Sequence, residues 1–241
     1  MTPRPRRADV GPFGPAQAWP DDDLVAVSHD IDIDLTVAAY ASGVFPMPLQ
    51  TGLMGWWSPV DRGVLPLDAL RVPRSLRKML PRYEIRVDTA FAEVLAACAD
   101  PRRPHGWIDD DIARVYLELH ARGIVHSVEA WSGDDLVGGL YGVSLGGLFA
   151  GESMFHDPVR GRDASKAALV ALVDLMRGDA GSDTGSDAGG DGERRLLDVQ
   201  WRTDHLASLG VVEVDRSDYL GRLRRALTLP TPDWGAYSQR G

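Results

Sequence analysis

Three apolar runs between residues 124 and 155 constrain the fold of this chain more than any other feature. They cover residues 124–131, 136–143 and 148–155, and the short connections between them are rich in Ser and Gly. Runs of this length with turn residues between them are typical of strands joined by hairpins. An amphipathic helix over 164–176 leads to a fourth apolar run at 195–201, and a helix of this length permits a parallel crossover. The order predicts a mixed α/β fold with a mixed sheet.

Helical patterns flank these runs on both sides. Asp88 is positioned to cap a helix with apolar positions from 91 to 98. An acidic stretch at 109–111 suits the start of a second helix, which ends near Gly123. After the fourth strand, the pattern predicts a short helix, a short strand and a final helix capped by Ser217.

The beginning of the chain predicts a small separate unit. Residues 1–20 are rich in Pro and Gly, which is typical of a mobile tail. A short helical pattern from Asp34 and aromatic, Pro-containing turns up to Pro59 follow it. We therefore expect an N-terminal subdomain with a mobile tail over 1–60 and a larger domain over 61–241.

An acidic segment interrupts the larger domain at residues 178–192. It contains four aspartates and no apolar side chain larger than alanine, so we expect a disordered loop. Removing the four aspartates changes the formal net charge from -9 to -5. The negative balance argues against an indiscriminate nucleic-acid binder, because counterion release needs many cations facing the phosphates.

Several other classes of protein are excluded by motifs that the chain lacks. No apolar run approaches the roughly 20 residues of a membrane span. The single cysteine, Cys98, provides neither an intrachain disulfide framework nor a cysteine-rich zinc site. A phosphate-binding loop of the nucleotide hydrolases is also missing. We expect a cytoplasmic protein that does not associate with membranes.

Residues 71–86 carry a local charge opposite to that of the whole chain. Six basic residues stand there against one acid, Glu84. Pro73 suits a first helical turn and Pro81 a stop, so a short basic helix over 73–80 is predicted, with cations placed to meet phosphates. A solvated face near a domain boundary is the alternative interpretation.

Three polar residues inside apolar strands are candidates for chemistry. The two-residue strand period puts Asp198 and Gln200 on one face of the fourth strand. Glu152 is an isolated acid in the third strand, and pairing of neighbouring strands would bring it towards them. A buried carboxylate is costly unless it is paired or hydrogen-bonded. Either a functional group or an internal hydrogen-bonding network satisfies the pattern.

An ordered set of short motifs resembles the bacterial leucyl/phenylalanyl-tRNA protein transferases from about residue 34 to 227. The motifs are Gly43-Val44-Phe45-Pro46, Trp56-Trp57-Ser58-Pro59, Arg74-Ser75, Gly106-Trp107-Ile108, His126-Ser127-Val128-Glu129, Leu136-Val137-Gly138-Gly139-Leu140-Tyr141-Gly142-Val143, Gly151-Glu152-Ser153-Met154-Phe155, Ala164-Ser165-Lys166, Asp198-Val199-Gln200 and Asp204-His205 followed by Ser208-Leu209-Gly210. Each motif alone is weak, but their order is specific.

The resemblance implies a small N-terminal domain joined to a C-terminal domain similar to the Gcn5-related N-acyltransferases. It implies transfer of leucine or phenylalanine, less often methionine, from aminoacyl-tRNA to proteins with an N-terminal Arg or Lys. The products would enter the bacterial N-end rule degradation route. No metal or other cofactor is required, because the donor ester is already activated. A monomer is the expected state.

The resemblance also implies roles for individual residues. Gln200 would hydrogen-bond the attacking α-amine, Asp198 would polarise or orient Gln200, and Glu152 would add negative potential around the acceptor. Trp107 matches a tryptophan associated with the terminal adenosine. The residues that match the apolar amino-acid pocket are Leu140, Phe149, Met154, Leu172 and Leu197, and those that would contact acceptor-stem phosphates are Arg74, Arg77 and Lys78.

Two departures from the family pattern concern substrate contacts. Met47 stands in place of an aromatic residue, which weakens a stacking role there. Leu172 stands in place of a pocket phenylalanine and leaves more room, so we expect a different preference between leucine and phenylalanine.

Two other functions remain as alternatives. An acyl-CoA-dependent N-acyltransferase would need a glycine-rich pyrophosphate cradle at the start of the crossover helix, and residues 160–164 have one glycine at the wrong spacing. A non-enzymatic RNA-binding protein would use residues 71–86 but would leave Asp198 and Gln200 without a role.

Overall fold

A computed structural model describes residues 11–103, 106–178 and 195–236. The first part of the chain forms a three-stranded antiparallel sheet in the order β1-β3-β2. The strands are β1 (Leu24–Ser28), β2 (Phe45–Pro48) and β3 (Met54–Trp57). Helix α1 (Ile33–Ser42) connects β1 to β2, and the Asp32 carboxylate caps it by accepting a hydrogen bond from the Leu35 backbone N–H.

The second sheet has seven strands in the order β10-β4-β9-β8-β7-β6-β5. Their bounds are β4 (Asp61–Leu65), β5 (Glu84–Val87), β6 (Val125–Ser132), β7 (Asp135–Leu145), β8 (Leu148–His156), β9 (Leu196–Asp198) and β10 (Val212–Asp215). Strands β8 and β9 are parallel neighbours, and the other pairs are antiparallel. The predicted meander, crossover helix and parallel fourth strand are confirmed.

Helices cover both faces of the large sheet. Helices α3 (Phe91–Cys98) and α4 (Asp110–Ala121) pack on one face, where Tyr141 and Val143 of β7 belong to the same core cluster. The crossover helix α5 (Ala164–Gly178) packs on the other face with Leu140. This alternation along β7 follows from the two-residue period of a strand. The fold is therefore mixed α/β with two hydrophobic cores that share one sheet.

Three short helices complete the chain. They are α2 (Arg74–Arg77), α6 (Asp204–Ser208) and α7 (Arg216–Ala226). The predicted helix over 73–80 is wrong in its length, because α2 ends at Arg77 and a separate 3-10 turn (Leu80–Arg82) contains Pro81. A proline lacks the backbone N–H that a continuing helix would use, so the chain turns instead.

Two predicted helix caps are wrong. Helix α3 begins after Ala90, and the Asp88 carboxylate instead accepts a hydrogen bond from the Ser127 backbone N–H. Helix α7 begins at Arg216 and has Asp215 at its N-cap position, so Ser217 lies inside the first turn. In both cases a neighbouring strand determines where the helix begins, which a local pattern does not contain.

The boundary and tail predictions have different outcomes. The change from the small sheet to the large one falls between Trp57 and Asp61, close to the predicted boundary at residue 60, which stays a prediction. The predicted tail over 1–20 is too long, because the Trp19 indole donates a hydrogen bond to the Phe13 carbonyl and the Phe13 ring lies 5.3 Å from that of Trp56. Residues 1–10 and most of the predicted acidic loop over 178–192 lie outside the described residues.

Candidate active site

Strands β8 and β9 separate after a short stretch of pairing, and we name the gap between them the cleft. The two strands pair over only three residues, 148–150 with 196–198. Strand β9 ends at Asp198, the next residues stay hydrogen-bonded to the Gly63 backbone of β4, and Gln200 has a φ angle of +58°. A non-glycine residue in this left-handed region is uncommon and needs support from its surroundings. Gln200 and the second half of β8 therefore face each other across the cleft.

The prediction that Asp198 and Gln200 share a face of one strand is wrong. The fourth strand ends at Asp198 instead of reaching Trp201, so the two-residue period does not apply to Gln200. The residues are nevertheless neighbours, because the Asp198 Oδ1 atom accepts a hydrogen bond of 3.0 Å from the Gln200 backbone N–H. The carboxylate thus supports the unusual backbone conformation of Gln200.

The Asp198 carboxylate is fully buried and is paired with Arg62, which is also buried. Arg62 donates two hydrogen bonds, from Nε to Oδ1 at 2.8 Å and from Nη2 to Oδ2 at 2.6 Å. The Tyr219 hydroxyl donates a further hydrogen bond of 2.8 Å to Asp198 Oδ2. These partners satisfy the carboxylate, as burial of a charge requires.

Arg62 is held in turn by backbone and aromatic groups. Its Nη1 atom donates to the Gly43 carbonyl at 3.1 Å, and its guanidinium lies 4.3 Å from the Tyr219 ring centroid and 4.8 Å from that of Phe45. Buried arginine is stabilised by such fixed donors and by cation–π contacts. Sequence reasoning did not identify Arg62, because its neighbours Asp61 and Gly63 give no apolar pattern that would indicate burial.

Glu152 links Gln200 to two buried tyrosines. Gln200 Nε2 donates to Glu152 Oε1 at 3.0 Å, and the Tyr116 hydroxyl donates to Oε2 at 3.0 Å. The Tyr116 and Tyr40 hydroxyl oxygens are 2.6 Å apart, and Tyr40 is the donor because the Tyr116 proton is already used. Burial and the nearby Glu152 charge raise the pKa of both phenols, so they remain donors. Neither tyrosine was identified from the sequence.

Burial also changes the acidity of Glu152. It raises the pKa of this carboxyl to about 7, while the nearby Tyr40 and Tyr116 hydroxyl groups act in the opposite direction and the Asp198 charge adds to the rise. The carboxyl thus changes its charge near neutral pH.

The five predicted pocket residues lie together on the face of the large sheet that α5 covers. Leu140, Phe149, Leu172 and Leu197 are buried in one core cluster, and Met154 is partly buried against it. Strand register explains part of the arrangement, since Met154 pairs with Leu140 and Phe149 pairs with Leu197. The structure therefore brings the predicted apolar residues together, in a different core cluster from the one that contains Tyr116 and Tyr40.

Trp107 and the basic residues have different positions. The Trp107 ring lies 6.4 Å from the ring of Tyr116, edge to face, which places it next to the hydroxyl that binds Glu152. Arg74, Arg77 and Lys78 are exposed on and next to α2. The following residues Met79 and Leu80 pack near the start of α5.

The loop before α5 bears on the acyl-CoA alternative. The backbone N–H groups of Val159 and Arg160 donate to the Asp157 carboxylate at 2.8 and 2.9 Å. The Asp157 carboxylate therefore already accepts hydrogen bonds from these two N–H groups, and its negative charge would repel a pyrophosphate. Within the described ranges, no group of three or more His, Cys, Asp or Glu side chains is arranged to hold a metal ion.

The same part of the chain contains no helix that is both long enough and apolar enough to cross a membrane.

Sequence comparisons agree with this arrangement. Residues 64–224 match the family model described as leucyl/phenylalanyl-tRNA protein transferase, and residues 29–60 match the model of its N-terminal domain. Among similar proteins is the leucyl/phenylalanyl-tRNA–protein transferase of Salinibacter ruber, 48% identical over 85% of this chain and 84% of that protein. Proteins of the same name from Caulobacter vibrioides and Anaeromyxobacter sp. are 47% and 44% identical, over 84% and 90% of this chain and 89% and 88% of theirs.

Solved structures offer a weaker comparison. The L-PGS structure from Bacillus licheniformis shares 10% identity with a TM-score of 0.35, over 71% of this chain and 52% of that chain. That likeness is too distant to support an inference about fold or function. The two family models, by contrast, match ranges that include Glu152, Asp198 and Gln200. The chain belongs to the leucyl/phenylalanyl-tRNA protein transferase family and is an aminoacyltransferase.

Proposed function

We propose that this enzyme transfers leucine or phenylalanine, and less often methionine, from aminoacyl-tRNA to the α-amine of proteins that begin with Arg or Lys. The observation that supports this proposal is the hydrogen bond from Gln200 to Glu152, whose strand β8 also carries Phe149 and Met154 of the apolar cluster. The polar side suits a cationic acceptor, and the apolar side suits a leucine or phenylalanine side chain.

The reaction replaces an ester with an amide. The acceptor α-amine attacks the ester carbonyl carbon, a C–N bond forms, and the C–O bond to the terminal ribose of the tRNA breaks. The proton that the amine loses ends on the departing ribose oxygen, directly or through water. The enzyme has to orient the two reactants and exclude competing water, which is a large part of catalysis for an activated donor.

Gln200 is the residue that positions the amine. Its Nε2 atom already donates to Glu152, so its Oε1 atom is left to accept a hydrogen bond from the incoming amine. An amide is a poor base, and we therefore assign Gln200 a positioning role. Asp198 acts on the backbone N–H of Gln200 rather than on its side chain, and Arg62 keeps Asp198 in place.

Glu152 provides the charge that favours an acceptor with an N-terminal Arg or Lys. Asp198 is neutralised by Arg62, whereas the hydrogen bonds to Glu152 come from neutral groups of Gln200 and Tyr116. The ionised form of Glu152 therefore leaves a net negative charge in the cleft. An opposite charge is attracted strongly where water is partly excluded.

The donor tRNA binds on the other side of the reaction centre. Trp107 offers an aromatic face for the terminal adenosine, since bases stack on such rings. Arg74, Arg77 and Lys78 contact acceptor-stem phosphates, which position the RNA without reading its sequence. We further propose that the enzyme acts as a cytoplasmic monomer, that its products enter the N-end rule route, and that residues 1–60 and 61–241 form its two domains.

A transfer assay tests the proposal. Labelled leucyl-tRNA is incubated with the purified protein and a peptide that starts with Arg, and a matched peptide that starts with Ala is the control. We expect label on the Arg peptide and at most a trace on the Ala peptide. Equal labelling of both would contradict the acceptor assignment, and labelling only with acyl-CoA as donor would favour the acyl-CoA alternative.

A further inference from the structure

Trp234 lies beyond residues 64–224, which match the family model, yet it packs onto the sheet that carries the apolar cluster. It begins a short 3-10 turn (Trp234–Ala236) near the end of the described chain, and its side chain is 8% exposed. A large aromatic residue buried at this position fixes the path of the segment that follows α7. Its neighbours include Phe149 of the apolar cluster.

The indole of Trp234 contacts three side chains of the large sheet. It stacks on the His126 ring at 4.3 Å between centroids, with 9° between the planes. It lies 5.5 Å from the Phe149 ring, and its Nε1 donates to Ser144 Oγ at 3.3 Å. These contacts set both the depth and the orientation of the indole.

His126 is a rigid support for this stack. Its Nδ1 atom lies 2.6 Å from the Asp88 carboxylate, and its Nε2 atom lies 3.1 Å from the Gly123 carbonyl oxygen. Asp88 is fixed too, since its other carboxylate oxygen accepts the Ser127 backbone N–H at 2.8 Å. Because both ring nitrogens are held, the imidazole cannot rotate away from Trp234.

Phe149 is confined between Trp234 and a glycine. A Cβ atom at Gly142 would stand only 2.5 Å from the Phe149 ring, so the ring occupies space that any side chain at 142 would need. One wall of the Phe149 site is thus the β7 backbone, and the other is the indole. Removing the indole frees the ring on one side.

We propose that Trp234 determines the selectivity for the donor amino acid, because it fixes Phe149 and thereby the depth of the apolar pocket. This inference rests on the pocket placement of the proposed function. Trp234 is a positioning residue that acts through Phe149, which belongs to one cluster with Leu140, Leu172 and Leu197. A deeper pocket favours the larger phenylalanine side chain over leucine.

The test compares kcat/KM for phenylalanyl-tRNA and leucyl-tRNA with one Arg-initiated peptide. For Trp234→Ala we expect the phenylalanine-to-leucine ratio to rise at least about threefold, a modest part of what pocket volume can contribute. Trp234→Phe retains an aromatic wall and should keep the ratio within about twofold. A loss of stability alone would lower both rates together and leave the ratio unchanged.

Two controls separate the possible outcomes. Trp131→Ala removes an indole that lies against Arg86 at the other end of β6 from His126, and its ratio should match that of the wild type. Met154→Ala opens the pocket directly and should raise the ratio. Trp234→Leu replaces Trp234→Ala if the latter melts below the assay temperature, and an unchanged ratio in the folded Trp234 variant overturns the inference.

The two proposals fail in different ways. If Met154→Ala changes the ratio and the Trp234 variants do not, the pocket placement stands and the role of Trp234 is wrong. If neither change alters the ratio, the pocket placement itself is wrong, and the role of Trp234 falls with it.

Discussion

The charge of Glu152 gives a prediction that combines stability and activity. Replacing Glu152 with Gln keeps the size of the side chain and removes its ionisation. In the wild type, burial raises the pKa of this carboxyl to about 7 from the ordinary value of 4.5. The Glu152→Gln variant should therefore differ from the wild type by an amount that depends on pH.

The sign of the difference follows from proton linkage. Between pH 4.5 and 7 the folded state holds the Glu152 proton and the unfolded state releases it, so the free energy of unfolding of the wild type falls as pH rises. At 1.36 kcal/mol per pH unit, the whole interval corresponds to roughly 3 kcal/mol. Most of this loss, roughly 2 to 3 kcal/mol, falls between pH 5 and pH 8.

Urea denaturation at several pH values measures this effect. The quantity of interest is the free energy of unfolding of Glu152→Gln minus that of the wild type, which cancels the titration of all other groups. We expect this difference to increase by roughly 2 to 3 kcal/mol from pH 5 to pH 8. A difference that stays constant across this range would refute the argument that burial governs Glu152.

The same titration should appear in catalysis. Transfer to the Arg-initiated peptide is expected to increase as pH rises through about 7, because ionised Glu152 attracts the cationic acceptor. Glu152→Gln should lose this part of the pH profile while its transfer to an uncharged acceptor changes less. A wild-type profile that is flat from pH 6 to 8 would contradict the proposed electrostatic role.

Three further predictions concern other parts of the site. Gln200→Asn shortens the amide but tolerates the left-handed backbone, so we expect transfer to fall about 10-fold to 100-fold with little change in melting temperature; unchanged turnover would remove Gln200 from the mechanism. Arg62→Met leaves the buried Asp198 charge unpaired and should cost about 3–5 kcal/mol in urea denaturation, most of which the double variant with Asp198→Leu should restore. The double variant Arg74→Ala/Lys78→Ala should raise the KM for aminoacyl-tRNA and leave the KM for the peptide nearly unchanged. The dependence of tRNA binding on salt concentration should weaken by about two released counterions, and an unchanged salt slope would place the RNA elsewhere.

Much of the fold was predictable because its strongest signals are local. Side chains along β6, β7 and β8 point alternately into two cores, and glycine-containing turns separate these strands. The apolar pattern and the turn residues therefore predict them from the sequence. The crossover helix α5 shows an amphipathic pattern of its own. The caps of α3 and α7 were not predictable, because their ends are set by contacts with Ser127 and with the start of β4.

The sequence predicted several residues of the site but not how they are arranged. Sequence motifs identified Asp198, Gln200 and Glu152, and the structure joins them through hydrogen bonds. The prediction that Asp198 and Gln200 share a strand face is wrong because β9 ends at Asp198. The length of β9 depends on its pairing with β8, which stops at the same residue. Arg62 is 136 residues from its partner in sequence, so no local pattern could pair them.

The sequence by itself determined the order of helices and strands, the two-sided character of the large sheet and the family of the chain, since each is encoded in the period and the motifs of short segments. Only the tertiary structure decided which groups are charged and which are fixed. Burial gives Glu152 its high pKa, the β4 strand supplies Arg62 to Asp198, and the chain end brings Trp234 against Phe149. These properties depend on contacts between distant segments, and such contacts exist only once the chain has folded.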